Sequence, residues 1–306
     1  MLDTWYRPLQ KNRLFTLRLA SLCACVVLLP AHLQAKEAGV IQWSRYPFPP
    51  VYIETGEQRG EGIAGQTLKL LQRELTQYKH IDHSASFPRI MRSFTNTGVV
   101  CTGMNKTSDR EQQVIFSQAV VMYPAHTLSY LTSRKRELEQ SSGISLETSF
   151  PLQQLLEGDE QYSVGVTLNR SYNPQIDKLL NQHPEKIRSF EVSTPMASIY
   201  KQLRFRRLDF TIEYPIVTAY WLQKLGLENQ FSSVPIKESG RGFVAYIACS
   251  RNPEGAKVIA AINKVLERVV GTVEHRAIVE RWLPKQIKMP YRKLYSDYFN
   301  QGQPIE

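Results

Sequence analysis

Apolar segments of two kinds alternate along residues 40–282 of the chain. Short β-prone runs predict strands at residues 40–44, 81–87, 99–103, 115–123, 126–132, 162–168, 187–192, 209–214 and 243–249. Segments with apolar residues at helical spacing predict helices at residues 68–78, 89–96, 152–156, 174–181, 195–206, 216–225, 255–270 and 273–282. Thr67 is the expected N-cap of the first helix. Residues 133–149 are polar and predict a loop, and residues 285–306 predict a loosely held tail.

This alternation predicts an α/β protein built from βαβ units with mainly parallel sheets. The pattern restarts after Pro124 and again near Gly240, so it contains two such series. With 306 residues, the chain has the length of about two domains.

The first 35 residues have the layout of a cleaved secretory signal peptide. Basic residues such as Arg7 and Arg13 precede an apolar run that Pro30 ends. The uninterrupted part, residues 19–29, is much shorter than the roughly 20 residues that a bilayer span needs. An uncleaved anchor and lipid attachment at Cys23 or Cys25 are the alternatives. The segment therefore predicts export, with the folded protein in the periplasm.

Composition and charge narrow the class of protein. A hydrophobic content of 42% and a charged content of 22% exclude a disordered, collagen-like or polytopic membrane chain. The net charge is +10, and the +7 that remains without residues 1–35 suits attraction to anionic solutes, or simply solubility. No arginine stripe indicates nucleic-acid binding. No Cys or His spacing indicates a metal, and His80 and His83 are interpreted as surface residues. We expect no cofactor and a monomer.

One arginine stands out for its position between two predicted strands. Arg110 follows the buried strand 99–103, and ligands of parallel α/β sheets bind beyond the carboxyl ends of strands. Its planar guanidinium suits bidentate binding of a carboxylate, and Thr107 and Ser108 add hydroxyl groups nearby. The alternative is a structural arginine paired with Asp109 or Glu111.

The residues around Arg110 carry a resemblance to a known family. Thr107, Arg110, Phe116 and Ser117 are similar to a motif of the bacterial extracellular solute-binding proteins of family 3, which include periplasmic receptors for polar amino acids. Residues 46–62 resemble that family's opening strand and glycine-marked turn, and residues 144–172 resemble the start of its second lobe. The resemblance extends over residues 38–283.

The resemblance implies a type II periplasmic-binding fold, in which two crossing hinge segments join two α/β lobes. The crossings would lie near residues 122–126 and 238–243. Lobe one would comprise residues 38–123 and 243–290, and lobe two residues 124–242. Residues 291–306 would form a basic, polar tail. A ligand would bind in the cleft, and the lobes would close around it.

The resemblance also assigns roles to individual residues. Arg110 would bind the ligand carboxylate, with help from Thr107, and Tyr46 and Phe48 would form an aromatic wall. Ser171 and Tyr172 would offer backbone amides before a helix start, where anions are attracted. Arg170 would add charge there or lie exposed. Glu213 would bind an ammonium group, although it stands one residue short of the usual spacing. The alternative for Glu213 is a surface carboxylate.

Two cysteines remain after the predicted signal peptide. The resemblance would place Cys101 and Cys249 on strands of one sheet. An oxidising compartment permits a disulfide between them. Two buried free thiols are the alternative.

The resemblance predicts a periplasmic solute-binding protein rather than an enzyme. Its partners would be a small polar solute, carboxylate-bearing and amino-acid-like, and an ABC-type permease or membrane sensor. One alternative is an exported dehydratase acting on a prephenate-like acid with Glu213 as general acid. Another is a sensory or cell-wall-associated binding module.

Overall fold

The computed structural model describes residues 39–168, 170–191 and 196–305. The predicted signal peptide, residues 1–35, lies outside them. The strands are β1 (Val40–Arg45), β2 (Lys79–Ser84), β3 (Val99–Met104), β4 (Val114–Pro124), β5 (Thr127–Leu131), β6 (Val164–Thr167), β7 (Ile187–Phe190), β8 (Phe210–Glu213), β9 (Phe231–Pro235) and β10 (Gly242–Ser250). The helices are α1 (Ile63–Glu74), α2 (Phe87–Ser93), α3 (Ser108–Gln113), α4 (Lys135–Ser142), α5 (Leu152–Glu157), α6 (Pro174–Gln182), α7 (Met196–Arg204), α8 (Pro215–Leu225), α9 (Pro253–Val269), α10 (Val273–Glu280) and α11 (Lys288–Phe299).

The first sheet has the strand order β2-β1-β3-β10-β4. Strands β2, β1 and β3 run parallel, whereas β10 runs antiparallel to both β3 and β4. Helices α1 and α9 bury their apolar stripes in the same core as these strands. Helix α9 begins where the side chain of Asn252 accepts a hydrogen bond from the Gly255 amide and Pro253 occupies the first turn.

The second sheet has the order β7-β6-β8-β5-β9. Strands β7, β6 and β8 are parallel, and β5 is antiparallel to its neighbours β8 and β9. Its core contains buried aliphatic and aromatic side chains, among them Leu128, Val164 and Phe210. Both sheets are thus mixed, and in each of them four strands run in one direction while one strand, β10 or β5, runs against them. The expectation of mainly parallel sheets therefore holds for the direction of the strands, with β10 and β5 as the exceptions.

The connection between the sheets explains why they are mixed. Strand β4 leads out of the first sheet into β5, and β10 leads back, so the two connecting strands lie antiparallel, with Pro124 opposite Gly242. Beyond this pair, the amide of His126 donates to Ser239 Oγ at 2.8 Å, and the amide of Ile236 donates to the His126 carbonyl at 3.0 Å. Two crossing segments that are hydrogen-bonded to each other therefore connect the sheets.

The C-terminal residues form a packed helix, and the expectation of a loosely held tail is wrong. Helix α11 buries Tyr291, Leu294 and Tyr295. The Tyr291 hydroxyl donates to the Met122 carbonyl at 3.3 Å, and the amide of Gly271 donates to the Tyr295 hydroxyl at 2.9 Å. The aromatic residues of this segment are spaced for one helical face, which its basic residues obscure in the sequence.

Other differences from the predicted elements are local. Helix α1 begins one turn before Thr67, which instead donates its hydroxyl to the Ile63 carbonyl at 2.9 Å inside the helix. Its N-cap is Gly62, where a Cβ would lie only 2.6 Å from the Val51 carbonyl oxygen. The predicted loop 133–149 contains α4, which buries Leu138. Helix α3 and strand β9 were not predicted.

Cys101 and Cys249 are joined in a disulfide across β3 and β10, where they are register partners and fully buried. Within the described ranges, no helix is long and apolar enough to cross a membrane. The same residues contain no group of three or more His, Cys, Asp or Glu side chains placed to hold a metal ion.

Candidate functional site

A cavity of about 140 Å³ lies where the two sheets face each other. Most of its lining comes from the elements of the first sheet, and Thr167, Arg170, Ser171 and Tyr214 come from the second. These four residues follow or end β6 and β8, which are neighbours in their sheet. The cavity therefore lies beyond the carboxyl ends of parallel strands, the usual ligand position in α/β sheets.

One wall of the cavity is aromatic. The ring of Tyr46 lies 6.4 Å from that of Phe48, 5.3 Å from Tyr52 and 5.4 Å from Phe87, measured between centroids. Phe48 and Tyr52 exchange two backbone hydrogen bonds, which hold the turn between them. Burial, followed by the neighbouring Tyr52, raises the pKa of Tyr46, so its hydroxyl stays neutral. The predicted pair Tyr46 and Phe48 thus forms part of an apolar wall.

Arg110 lines the same cavity from α3. Its Nη1 donates to the Asn105 carbonyl at 2.8 Å, and its guanidinium carbon lies 5.0 Å from the Phe87 ring centre. Burial lowers the pKa of this guanidinium below its ordinary value, although the nearby Tyr46 and Tyr214 act to raise that pKa. The cation is thus partly desolvated, which strengthens its attraction for an anion.

A second arginine reaches the cavity from the loop after β6. Nη1 of Arg170 donates to Oε2 of Glu213 at 2.6 Å, and only 12% of the Arg170 side chain and 1% of the Glu213 side chain are exposed. The other oxygen, Oε1, accepts from the Tyr214 amide at 2.7 Å. Burial alone would lower the pKa of Arg170, but Glu213 and Tyr214 raise it well above its ordinary value. The surface interpretations of both Arg170 and Glu213 are therefore wrong.

Aromatic rings surround the Arg170 guanidinium. Its carbon lies 4.3 Å from the ring centre of Tyr214, 4.8 Å from Tyr172 and 5.1 Å from Phe48. Cations are attracted to ring faces at such distances. Phe48 belongs to the first-sheet side and the two tyrosines to the second, so this arginine contacts both sides of the cavity. Its Nη2 is buried without a hydrogen-bond partner among the described residues.

Tyr214 links the cavity to the crossing segments. Its hydroxyl accepts from Asn105 Nδ2 at 3.3 Å, which joins the two sides directly. Its ring stacks on Tyr123 at 5.7 Å and on Phe243 at 4.7 Å, and lies 4.5 Å from the ring of His126. The aromatic stack formed by Tyr123, His126, Tyr214 and Phe243 therefore runs from the cavity into the crossings.

Three of the predicted site residues do not line the cavity but form hydrogen bonds to residues that do. Thr107 caps α3, with its hydroxyl accepting from the Arg110 amide at 3.4 Å. Tyr172 is buried, its hydroxyl accepts from the Thr167 amide at 2.9 Å, and its own amide donates to Asp177. Glu213 holds Arg170. The Tyr172 amide is thus engaged within the chain and does not offer the expected site for an anion.

Ser171 lines the cavity, but its hydroxyl donates to Asp177 Oδ2 at 2.6 Å. Among the residues that the structure describes, the lining contains two arginines and no Asp or Glu. Chemically, the cavity offers two guanidinium groups and an aromatic wall. Asn105, Phe87 and Tyr214 were not predicted. Asn105 directly follows β3 and Tyr214 directly follows β8, so their positions beyond strand ends were a usable signal.

No protein-family model matches the chain, and no curated protein sequence matches it. Solved structures do. An ancestral arginine-binding protein bound to arginine shares 19% of residues with a TM-score of 0.58, covering 81% of this chain and 99% of the other. The probable amino-acid ABC transporter extracellular-binding protein of Bacillus subtilis shares 17% with a TM-score of 0.60, covering 82% and 100%. An ancestral amino-acid-binding protein described as a precursor of cyclohexadienyl dehydratase shares 16% with a TM-score of 0.58, covering 81% and 96%.

These similarities establish the fold. The two mixed sheets with flanking helices match those of periplasmic binding proteins over nearly the whole length of each structure. The predicted α/β, type II periplasmic-binding fold is therefore confirmed.

Proposed function

We propose that the protein is a divergent solute-binding protein of family 3 that binds a small carboxylate-bearing solute in this cavity. The observation that carries the proposal is the convergence of Arg110 and Arg170, one from each side, on one aromatic-lined cavity. Guanidinium groups are the side chains best suited to a planar carboxylate. Similar structures include an ancestral arginine-binding protein and a probable amino-acid ABC transporter extracellular-binding protein, which supports solute capture.

The same proposal includes the export and the partners. The predicted signal peptide would place the protein in the periplasm, where a permease or membrane sensor would receive the bound solute. Closure of the two sides around the solute would be the change that the permease or sensor recognises, because only the closed form completes the contacts from both sides. Tyr214 couples the cavity to the crossings through the aromatic stack, and such crossings are where hinge motion is absorbed.

An enzyme on this scaffold is the second candidate, favoured by the dehydratase-precursor structure. A general acid must direct a proton at the substrate. Glu213 instead accepts hydrogen bonds at both oxygens and does not line the cavity. Product formation from prephenate would identify the enzyme, and its absence would leave binding as the activity.

The test of the proposed function is calorimetric titration of the wild-type protein and Arg110→Ala with carboxylates that stabilise the protein in a thermal-shift screen. Loss of a hydrogen bond to a charged group costs about 1.5–3 kcal/mol, so Kd should rise about 10- to 150-fold. Arg92 is exposed on the same side and does not line the cavity, so Arg92→Ala is the matched charge control and should bind as wild type does. Equal affinity of Arg110→Ala and wild type would remove Arg110 from the site.

A further inference from the structure

We propose that the cavity selects a monocarboxylate with a compact apolar body and no ammonium group, because Arg170 already occupies the one cation position that the buried carboxylate beside the cavity provides. This inference rests on the proposed function and names the class of solute. It makes the deaminated relatives of amino acids, rather than amino acids themselves, the expected ligands.

The first argument is that the only buried acid next to the cavity, in the described part of the chain, already has a partner for each of its oxygens. Glu213 has two oxygens, one held by Arg170 at 2.6 Å and the other by the Tyr214 amide at 2.7 Å. With no Asp or Glu in the described lining, an incoming ammonium group finds no carboxylate within the cavity. Burying an unpaired ammonium beside two guanidinium groups is strongly unfavourable.

The second argument is that a cation already lies against three aromatic rings beside the Arg170–Glu213 pair. The guanidinium of Arg170 lies over Tyr214, Tyr172 and Phe48 at 4.3, 4.8 and 5.1 Å. A ligand cation would have to displace it from both the rings and Glu213. The protein therefore supplies its own cation at the place where a ligand cation could otherwise bind.

The third argument is that the two arginines have N–H groups left over that could bind an anion. Nη2 of Arg170 is buried with no partner, and Arg110 uses only Nη1 in a hydrogen bond among the described residues. Buried N–H groups that lack an acceptor are costly, and a carboxylate oxygen would satisfy them. Arg110, Arg170 and Glu213 together carry one net positive charge, and Asp177, which accepts from Ser171 outside the lining, also attracts Arg110.

The fourth argument concerns size and polarity. The cavity volume of about 140 Å³ is close to that of an engineered apolar cavity of about 150 Å³ that binds benzene. The wall formed by Tyr46, Phe48 and Phe87 presents aromatic faces to this space. A single six-membered ring or a branched aliphatic group therefore matches the cavity, with its carboxylate directed at the arginines.

The experiment uses pairs of ligands that differ only in the ammonium group, titrated calorimetrically into the purified protein at pH 7. The pairs are phenylacetate with L-phenylglycine, 3-phenylpropanoate with L-phenylalanine, and 4-methylpentanoate with L-leucine. At least one deaminated acid should bind about tenfold or more tightly than its amino partner. Succinate and glutarate test the alternative of two carboxylates, and phenethylamine tests a cation alone.

Variants of Arg170 separate this inference from general loss of binding. Arg170→Lys keeps the cation and should keep the preference for the deaminated acid. Arg170→Ala frees Glu213 to pair with a ligand ammonium, so the preference should reverse toward the amino acid. The double variant Arg170→Ala/Glu213→Gln removes both charges and leaves Arg110 without an acid nearby, so an ammonium group again finds no partner and the preference for the deaminated acid should return. It also provides a folded reference if the unpaired carboxylate of the single variant destabilises the protein, which circular dichroism would report.

The outcomes distinguish this inference from the proposed function. If wild type binds the amino member of each pair as tightly as or more tightly than the deaminated one, the inference is wrong and solute binding stands. Tighter binding of succinate or glutarate than of any monocarboxylate would likewise overturn the inference and leave solute binding in place. If no carboxylate of any kind stabilises or titrates the protein, both fail.

Discussion

Removing the Cys101–Cys249 disulfide should lower the stability of this protein more than almost any single side-chain change. The bond joins central strands β3 and β10 of the first sheet, and both cysteines are fully buried. The segment between them, 148 residues apart in sequence, contains the whole second sheet. Without the bond, the unfolded chain regains the freedom of that entire loop.

The magnitude follows from the length of the loop. In the chain-entropy description, a cross-link that closes a loop of 148 residues removes unfolded-state entropy worth about 5 kcal/mol at 25 °C. Domains of this kind are stable by about 5–15 kcal/mol in total. Reduction is therefore expected to remove a large fraction of the free energy of unfolding, while the native strands, held by their own pairing, keep their register.

Urea unfolding followed by tryptophan fluorescence, with and without reductant, measures the effect. Cys23→Ala and Cys25→Ala in every sample leave the buried pair as the only cysteines in the sequence. Reduction should lower the free energy of unfolding by several kcal/mol, and Cys101→Ala/Cys249→Ala should be insensitive to reductant. Two free thiols in the denatured, unreduced protein, or a reduction effect below about 1 kcal/mol, would refute the entropic reasoning.

Two further predictions concern stability. Burial lowers the pKa of His126 and His275, so both stay neutral in the folded protein, whereas the unfolded chain takes up protons below about pH 6.5. The free energy of unfolding should fall as the pH drops from 7 to 5, and it should fall less steeply in His126→Phe than in wild type. Urea titrations that give the two proteins the same dependence on pH would contradict this. Deleting residues 288–306 would uncover the surfaces against which Tyr291 and Tyr295 are buried. Because burial of each large side chain contributes about 1.5–3 kcal/mol, the urea midpoint should fall visibly. An unchanged midpoint would mean that α11 contributes nothing.

The architecture was predictable because its signals are local. Apolar periodicity marks α1, α6 and α9, and continuous apolar runs mark β3 and β10. The elements that were missed carry weak local signals. Strand β9 has two serines in its middle, and α4 has a single buried apolar residue, Leu138, among charged ones. These two elements form through tertiary pairing, which a single sequence does not display.

The residues of the site also fall into two groups, those with a local sequence signal and those without one. Arg110, Tyr46 and Phe48 lie within or near short motifs on the first-sheet side, and the structure brings all three to the cavity. The second-sheet side depends on partners far apart in sequence, such as Arg170 and Glu213, which are separated by 43 positions. A carboxylate at position 213 indicates an ammonium site only if its partner is a ligand. No sequence pattern reveals that the partner belongs to the same chain.

The pairing of Arg170 with Glu213 is better explained by binding than by stability. Taking both charges out of water costs several kcal/mol per ion, and well-packed apolar side chains in their place are often neutral or stabilising. A purely structural pair would also use the remaining donors of the guanidinium. Here Nη2 is left buried without a partner, at the edge of a cavity that holds a second arginine and no described acid. Because a carboxylate in the cavity would supply the acceptor that this nitrogen lacks, the unpaired donor is the group that the proposed ligand would satisfy.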